Sequence, residues 1–392
     1  MAKNRVIYQS DALFVSQGVD STGASQHAQL RRVQSANYSF NVARQDVNQF
    51  GQLARLEAII LEAPTVSFDA SYLLGDGFNE QALGFANSSG TAVGEVSTKG
   101  FISGQIASTS GQNLYILTAP EGIDANFNST STGYSTIGIG NAFLTDYTLD
   151  ASIGSIPTVS VSFEGTNMNA TAAVTGGSAG YSGISGVGID PQLGTVIENQ
   201  SSNKLSADGT NGNKGILFPA ASQGTGIIGN AAASQKEVVS ALRPGDISLS
   251  FANADGDAIV DLDGDGAAHV QSVSISIPLG RTPIDRLGTR FSFARVVDFP
   301  ITPTLSVSAI VSETQSRALT SIINDDQFID SVQILFKKSS STALIGGTND
   351  NLHQAAYKMT NLKLDSEAFS SSIGPNKTVD LSFSLSIGGP DD

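Results

Sequence analysis

The sequence predicts a mainly β protein built from two tandem copies of one unit, and three observations carry that prediction. Short stretches alternate apolar residues with Ser, Thr or Asn. Glycine- and asparagine-rich breaks separate those stretches. A pattern met early in the chain returns 237 residues later.

The elements follow in chain order. "DALFVSQ" (11–17) is an early strand, and "GVDSTGASQHAQ" (18–29) supplies the turn residues after it. "ANYSFNV" (36–42) places Ala36, Tyr38, Phe40 and Val42 on one face and polar residues on the other, the period of a half-buried strand. "FNEQALGF" (78–85) is one of two helical signals, and "TQSRALTSII" (314–323) is the other. "TVSVSF" (158–163), "SVSISI" (272–277) and "TLSVSAIV" (304–311) repeat the alternation. The result is β-sandwich or barrel-forming units with minor helix.

The repeat is clearest when "VQSANYSFNVARQDVNQFGQL" (33–53) is set above "VQSVSISIPLGRTPIDRLGTR" (270–290) without a gap. Tyr38 and Phe40 meet Ile275 and Ile277, Val42 meets Leu279, Arg44 meets Arg281, and Gly51 meets Gly288. "APTVSFDA" (63–70) matches "TPTLSVSA" (302–309) after a two-residue insertion, and "EQAL" (80–83) matches "SRAL" (316–319). "LTDYTLDASIG…PTVSVSF" (144–163) corresponds to "MTNLKLDSEAF…KTVDLSF" (359–383). Segments in one order, one of them ungapped, argue for duplication of a domain.

Between the copies lies a stretch of different composition, 171–245, with 14 of the chain's 41 glycines and two aromatics, Tyr181 and Phe218. Its four acids balance its four bases, and it reads as an inserted arm. The chain thus divides into a first unit at 1–170, the arm at 171–245 and a second unit at 246–392. The whole charge of −15 belongs to the units, −7 in the first and −8 in the second.

"NADGDAIVDLDGDG" (253–266) resembles a calcium loop at first sight. Counting from Asp261, however, Ser272 stands where a bidentate Glu is required, and counting from Asn253, Gly264 does. The stretch replaces 18–29 of the first copy, which lacks the acids, so an acidic hairpin tip is expected and no metal site.

Composition excludes several functions. An acidic surface repels nucleic acid phosphates. The absence of cysteine excludes disulfides and thiolate metal sites. His27, His269 and His353 are scattered, and no HExxH, GxSxG or phosphate-binding GxxxxGK[ST] occurs. Asp146, Asp150 and Glu164 could be put forward as an acid/base pair, but their spacing does not select them. No catalytic, cofactor-binding or metal residue is therefore expected, and no enzyme activity. The N-terminus shows no secretion-signal pattern and no stretch reaches membrane-spanning length, so a soluble protein made in the cytoplasm is expected.

"YSFNVARQDVNQFGQLARLEAIILEAPTVSFDASYLLGDG" (38–77), with "IPTVSVSFEGTNM" (156–168), resembles the major tail tube proteins of long-tailed bacteriophages. The resemblance covers most of 11–168 and, through the repeat, 246–385 more weakly. Asp46 of the "R-x-D-[VI]-x-x-x-G" stretch becomes Pro283 in the second copy, so no role is assigned to that aspartate. The resemblance implies two copies of the tail-tube fold. It also implies self-assembly into stacked rings that form a hollow conduit, with phage DNA passing through the lumen without specific binding. Two units per chain then suggest a homotrimeric, pseudo-hexameric ring. The implied partners are other tail proteins (tape measure, terminators and a sheath where the tail contracts), and the implied location is the virion tail after assembly in the host cytoplasm. A tail decoration or baseplate protein and a calcium-dependent extracellular adhesin are the alternatives.

Overall fold

The computed structural model describes residues 11–19, 25–60, 64–75, 78–85, 95–107, 111–118, 132–165, 167–175, 247–252, 258–261, 269–284, 287, 294–310, 329–337, 353–370 and 378–388. Alternating sequence becomes strand almost throughout. The first part of the chain forms β1 (Asp11–Val19), β2 (Ser25–Gln29), β3 (Val33–Asn41), β4 (Arg44–Val47), β5 (Glu57–Ile60) and β6 (Thr65–Leu73). After α1 (Phe78–Ala82) come β7 (Glu95–Ser97), α2 (Thr98–Ala107), β8 (Gln112–Thr118), β9 (Thr132–Ser152), β10 (Thr158–Gly165) and β11 (Asn167–Thr175). Later follow β12 (Ile247–Ala252), β13 (Ala258–Asp261), β14 (His269–Pro278), β15 (Arg281–Ile284) and β16 (Ala294–Val297). The last are β17 (Thr304–Ile310), β18 (Ile329–Lys337), β19 (His353–Ser370) and β20 (Thr378–Ser384).

The central feature is an antiparallel run of eight strands in the order β19-β20-β17-β14-β9-β10-β6-β3. It consists of two four-stranded runs, β3-β6-β10-β9 and β14-β17-β20-β19, that correspond strand for strand and meet where β14 pairs β9. Tyr38 pairs Phe68 in the first run as Ile275 pairs Leu305 in the second. The register slips at Gln34 in β3 and at Gln271 in β14, which are matched positions. It slips again at Thr145 in β9 and at Asp365 in β19.

These ladders correct two of the sequence alignments. Phe68 takes the place of Leu305, so no two-residue insertion is needed between β3 and β6. Leu144 and Leu364 both stand opposite a phenylalanine, Phe163 and Phe383, so Leu364 rather than Met359 occupies Leu144's place. Alternating strands look alike after a shift of two, which is why residue identity alone misplaced the first.

One face of the run is apolar. Val66, Phe68, Ala70 and Tyr72 of β6, Val159, Val161 and Phe163 of β10, and Tyr147 and Leu149 of β9 are buried on it. Val273, Ile275 and Ile277 of β14, with Leu305 and Val307 of β17, continue the same core into the second run. Full burial of such side chains stabilises by roughly 1.5–3 kcal/mol each. β8 packs into this core with Leu114 and Ile116, and α2 with Phe101 and Ile102. Phe85 stacks on Phe101 at 4.0 Å, and both meet the edge of Tyr147.

The helical expectations fare unevenly. α1 covers only Phe78–Ala82 of the predicted 78–85. Gly84, at φ +90°, ends it in a conformation that favours glycine. The carbonyl of Leu83 then accepts from Gln105 Nε2 and from Gln112 Nε2, the latter at 2.7 Å. α2 was not anticipated, because "TKGFISGQIA" carries two glycines and no helical stripe. The predicted helix at 314–323 lies outside the described residues, as does the arm beyond Thr175; β11 occupies 167–175, five residues past the expected end of the first unit. Within the acidic stretch, β13 pairs back on β12, with Ser250 opposite Asp261, as β2 pairs on β1; the rest of 253–266 lies outside the described residues.

Two two-stranded hairpins, β4–β5 and β15–β16, leave the main sheet. Apolar side chains project at their turns: Phe50, Leu53 and Leu287 are fully exposed.

Candidate functional site

Opposite its core, the eight-stranded run presents a polar face made by the second half of each alternation. β6 contributes Ser67, Asp69 and Ser71; β10 Ser160, Ser162 and Glu164; β9 Asp146, Thr148 and Asp150. Across the junction β14 adds Ser272, Ser274 and Ser276, β17 Ser306 and Ser308, and β20 Asp380 and Ser382. Cross-strand register brings hydroxyls and carboxylates together. Ser162 Oγ donates to Asp69 at 2.7 Å, Ser274 Oγ to Asp150 at 2.6 Å, and Ser35 and Ser71 share a hydrogen bond of 2.6 Å. Thr148 Oγ1 donates to Asp146 at 2.9 Å, while partial burial raises the Asp146 carboxyl above its ordinary value.

The three carboxylates from which an acid/base pair could be drawn have separate partners. Asp146 is held by Thr148, Asp150 by Ser274, and Glu164 by the Arg295 guanidinium at 2.9 Å. His269 and His353 lie at the starts of β14 and β19, opposite Ile310 and Lys337, and His27 lies in β2, opposite Ser16. Among the described residues no three His, Cys, Asp or Glu side chains converge as metal ligands. Nor does any helix among them have the length and apolarity to cross a membrane. The protein matches no family model, and curated sequences give no match to it.

The junction between the two runs has its own chemistry. Arg281 and Arg295, on the β15–β16 hairpin, both stand over the ring of Phe143 in β9, at 5.0 Å and 5.8 Å. Arg281 Nη2 also donates to the Gln105 carbonyl at 2.7 Å. Burial, with Arg295 beside it, lowers the Arg281 guanidinium from its ordinary value. Leu279, fully buried, donates its N–H to the Thr145 carbonyl at 2.8 Å. Sequence reasoning matched Arg44 with Arg281 but gave no sign of this clamp, since Phe143 and Arg295 are far from it in the chain.

At its two ends the run is open. Among the described residues, β3 pairs only β6, and β19 pairs only β20 over Leu364–Ser370. A sheet with polar hydroxyls on one face, a core on the other and unpaired edges at both ends is suited to lateral growth.

Proposed function

We propose that this protein is a structural subunit, the major tail tube protein of a long-tailed bacteriophage, and that it has no catalytic role. The observation that carries the reading is the eight-stranded antiparallel run with an acidic, hydroxyl-rich face and two open edges. Its two runs read as duplicated copies of one tube unit. Three chains joined edge to edge supply 24 strands, eight from each, and closure satisfies every edge. The ring then has true threefold and approximate sixfold symmetry, and stacked rings form the conduit.

The polar face suits the lumen. Asp69, Asp146, Asp150 and Asp380 lie on it, and Ser and Thr hydroxyls fill the rows between them. A wall of that sign does not hold DNA phosphates, so the cargo slides. The virion tail is the place of action, and other tail proteins are the partners.

Negative-stain microscopy and the mass of an isolated ring test this. Hollow rings or tubes with three chains per ring are expected. Six chains per ring would overturn the trimer, and a protein that stays monomeric at high concentration would overturn the tube.

A further inference from the structure

The internal junction is a template for an interface that one chain cannot complete. We infer that a second copy of this chain docks its β19 edge, Leu364–Ser370, onto the β3 edge of the first in the register of the β9–β14 pairing. The inference rests on the reading of the chain as a self-assembling subunit, and adds the segments, the register and the chemistry.

The burial of matched residues carries it. Ile275, Ile277 and Leu279 of the second run are all 0% exposed, because β9 lies beside β14. Tyr38 and Phe40 occupy the places of the two isoleucines on β3, yet they are 42% and 46% exposed. Val42, in the place of Leu279, is only half-buried. The other side shows the same deficit. Leu144 is buried and Asp146 and Thr148 are half-buried, whereas Leu364 is half-buried and Ser366 and Ala368 are exposed. Each strand lacks cover at the positions where its counterpart has it, and in the counterpart the cover is the other strand.

Transferring the register fixes the contacts. Ser276 stands opposite Thr148 and Pro278 opposite Asp146, so Ser39 falls opposite Ala368 and Asn41 opposite Ser366 of the second copy. Tyr38 falls opposite Phe369, as Ile275 stands opposite Leu149. The Val42 N–H meets the Asp365 carbonyl, as Leu279 meets Thr145. The clamp is not repeated, since Lys363 stands in the place of Phe143 and Ala58 in that of Arg295. The outer seam thus relies on backbone pairing and on covering Tyr38 and Phe40.

The chain contains no cysteine, so engineered thiols report without background. Ser39 and Ala368 correspond to a non-hydrogen-bonded pair, whose Cα atoms lie about 4.5 Å apart, within disulfide reach. Under mild oxidation of the full-length protein, the double variant Ser39→Cys/Ala368→Cys should cross-link between chains. So should an equimolar mixture of the two single variants, each melting like the parent. Ser39→Cys/Ser366→Cys, two residues out of register, should cross-link at least tenfold more slowly. Equal cross-linking of both pairs would overturn the register. Absence of cross-links in a preparation that shows rings would overturn the seam and leave the tube reading standing. Cross-links without rings or tubes would support the seam and overturn the tube reading, and absence of both would overturn both.

Discussion

Tyr147 links the two halves of the molecule through a single hydroxyl. It lies 2.8 Å from the Tyr357 hydroxyl and donates at 3.4 Å to Glu80, which also accepts from Tyr72 at 2.9 Å. Tyr72, Tyr147 and Tyr357 are buried and stand close to the Glu80 carboxylate, so their phenols are raised well above 10. Desolvation likewise raises Tyr115. The unfolded chain releases these protons above about pH 10 and the folded chain retains them, so stability falls as pH rises past that point. Each such tyrosine contributes a slope of about 1.4 kcal/mol per pH unit. Urea denaturation at a series of alkaline pH values should show this, with a shallower decline in Tyr72→Phe. At neutral pH, Tyr147→Phe should cost about 1–3 kcal/mol, read from the same denaturation curves, because buried polar partners lose a hydrogen bond. Tyr147 was legible in the sequence only as part of an aligned segment; its partners come from β6, α1 and β19, and no local pattern announces them.

Among the elements, the end of α1 is the most constrained. A Cβ on Gly84 would lie 2.7 Å from Gln112 Nε2 and 3.1 Å from Gln105 Nε2, the two amides that donate to Leu83. The positive φ adds backbone strain. Gly84→Ala should therefore destabilise by about 1–3 kcal/mol, measured by thermal melting, whereas Gly154→Ala, with open space around it, should carry only the cost of its φ of +83°. Strands β10, β14 and β17 were legible because each has a single buried face, so the alternation survives in the sequence, and β3 keeps the same alternation although Tyr38 and Phe40 on its apolar face are exposed. β9 was not legible over its full length: its first half, "TGYSTIGIGNA", is glycine-rich and pairs with β8 and β11 rather than with the eight-stranded run. α2 escaped notice because tertiary burial of Phe101 and Ile102, rather than amphipathic period, holds it in place.

At the scale of the whole molecule, one continuous core runs through both strand runs, from Phe68 through Tyr147 and Ile275 to Phe383. The two units should therefore unfold in one calorimetric transition despite the length of chain between them; two separated transitions would show that the junction contributes little. Glu164→Gln, which removes the negative charge facing the buried Arg295 while leaving the strand intact, should lower the unfolding free energy of that single transition by about 1 kcal/mol, a modest figure because the Glu164 side chain is 38% exposed. The β9–β14 pairing also has a kinetic meaning. In a ring of six units, a single-unit chain must form every seam by collision, at the mercy of concentration. If three chains close the proposed ring, half of the seams are already made within the chains, where the effective concentration of one unit about the other is set by covalent attachment. Under that proposal nucleation would require three bodies to meet instead of six, so the rate at which rings first appear should depend on a lower power of protein concentration, and the covalent link between the units would act as a built-in assembly factor.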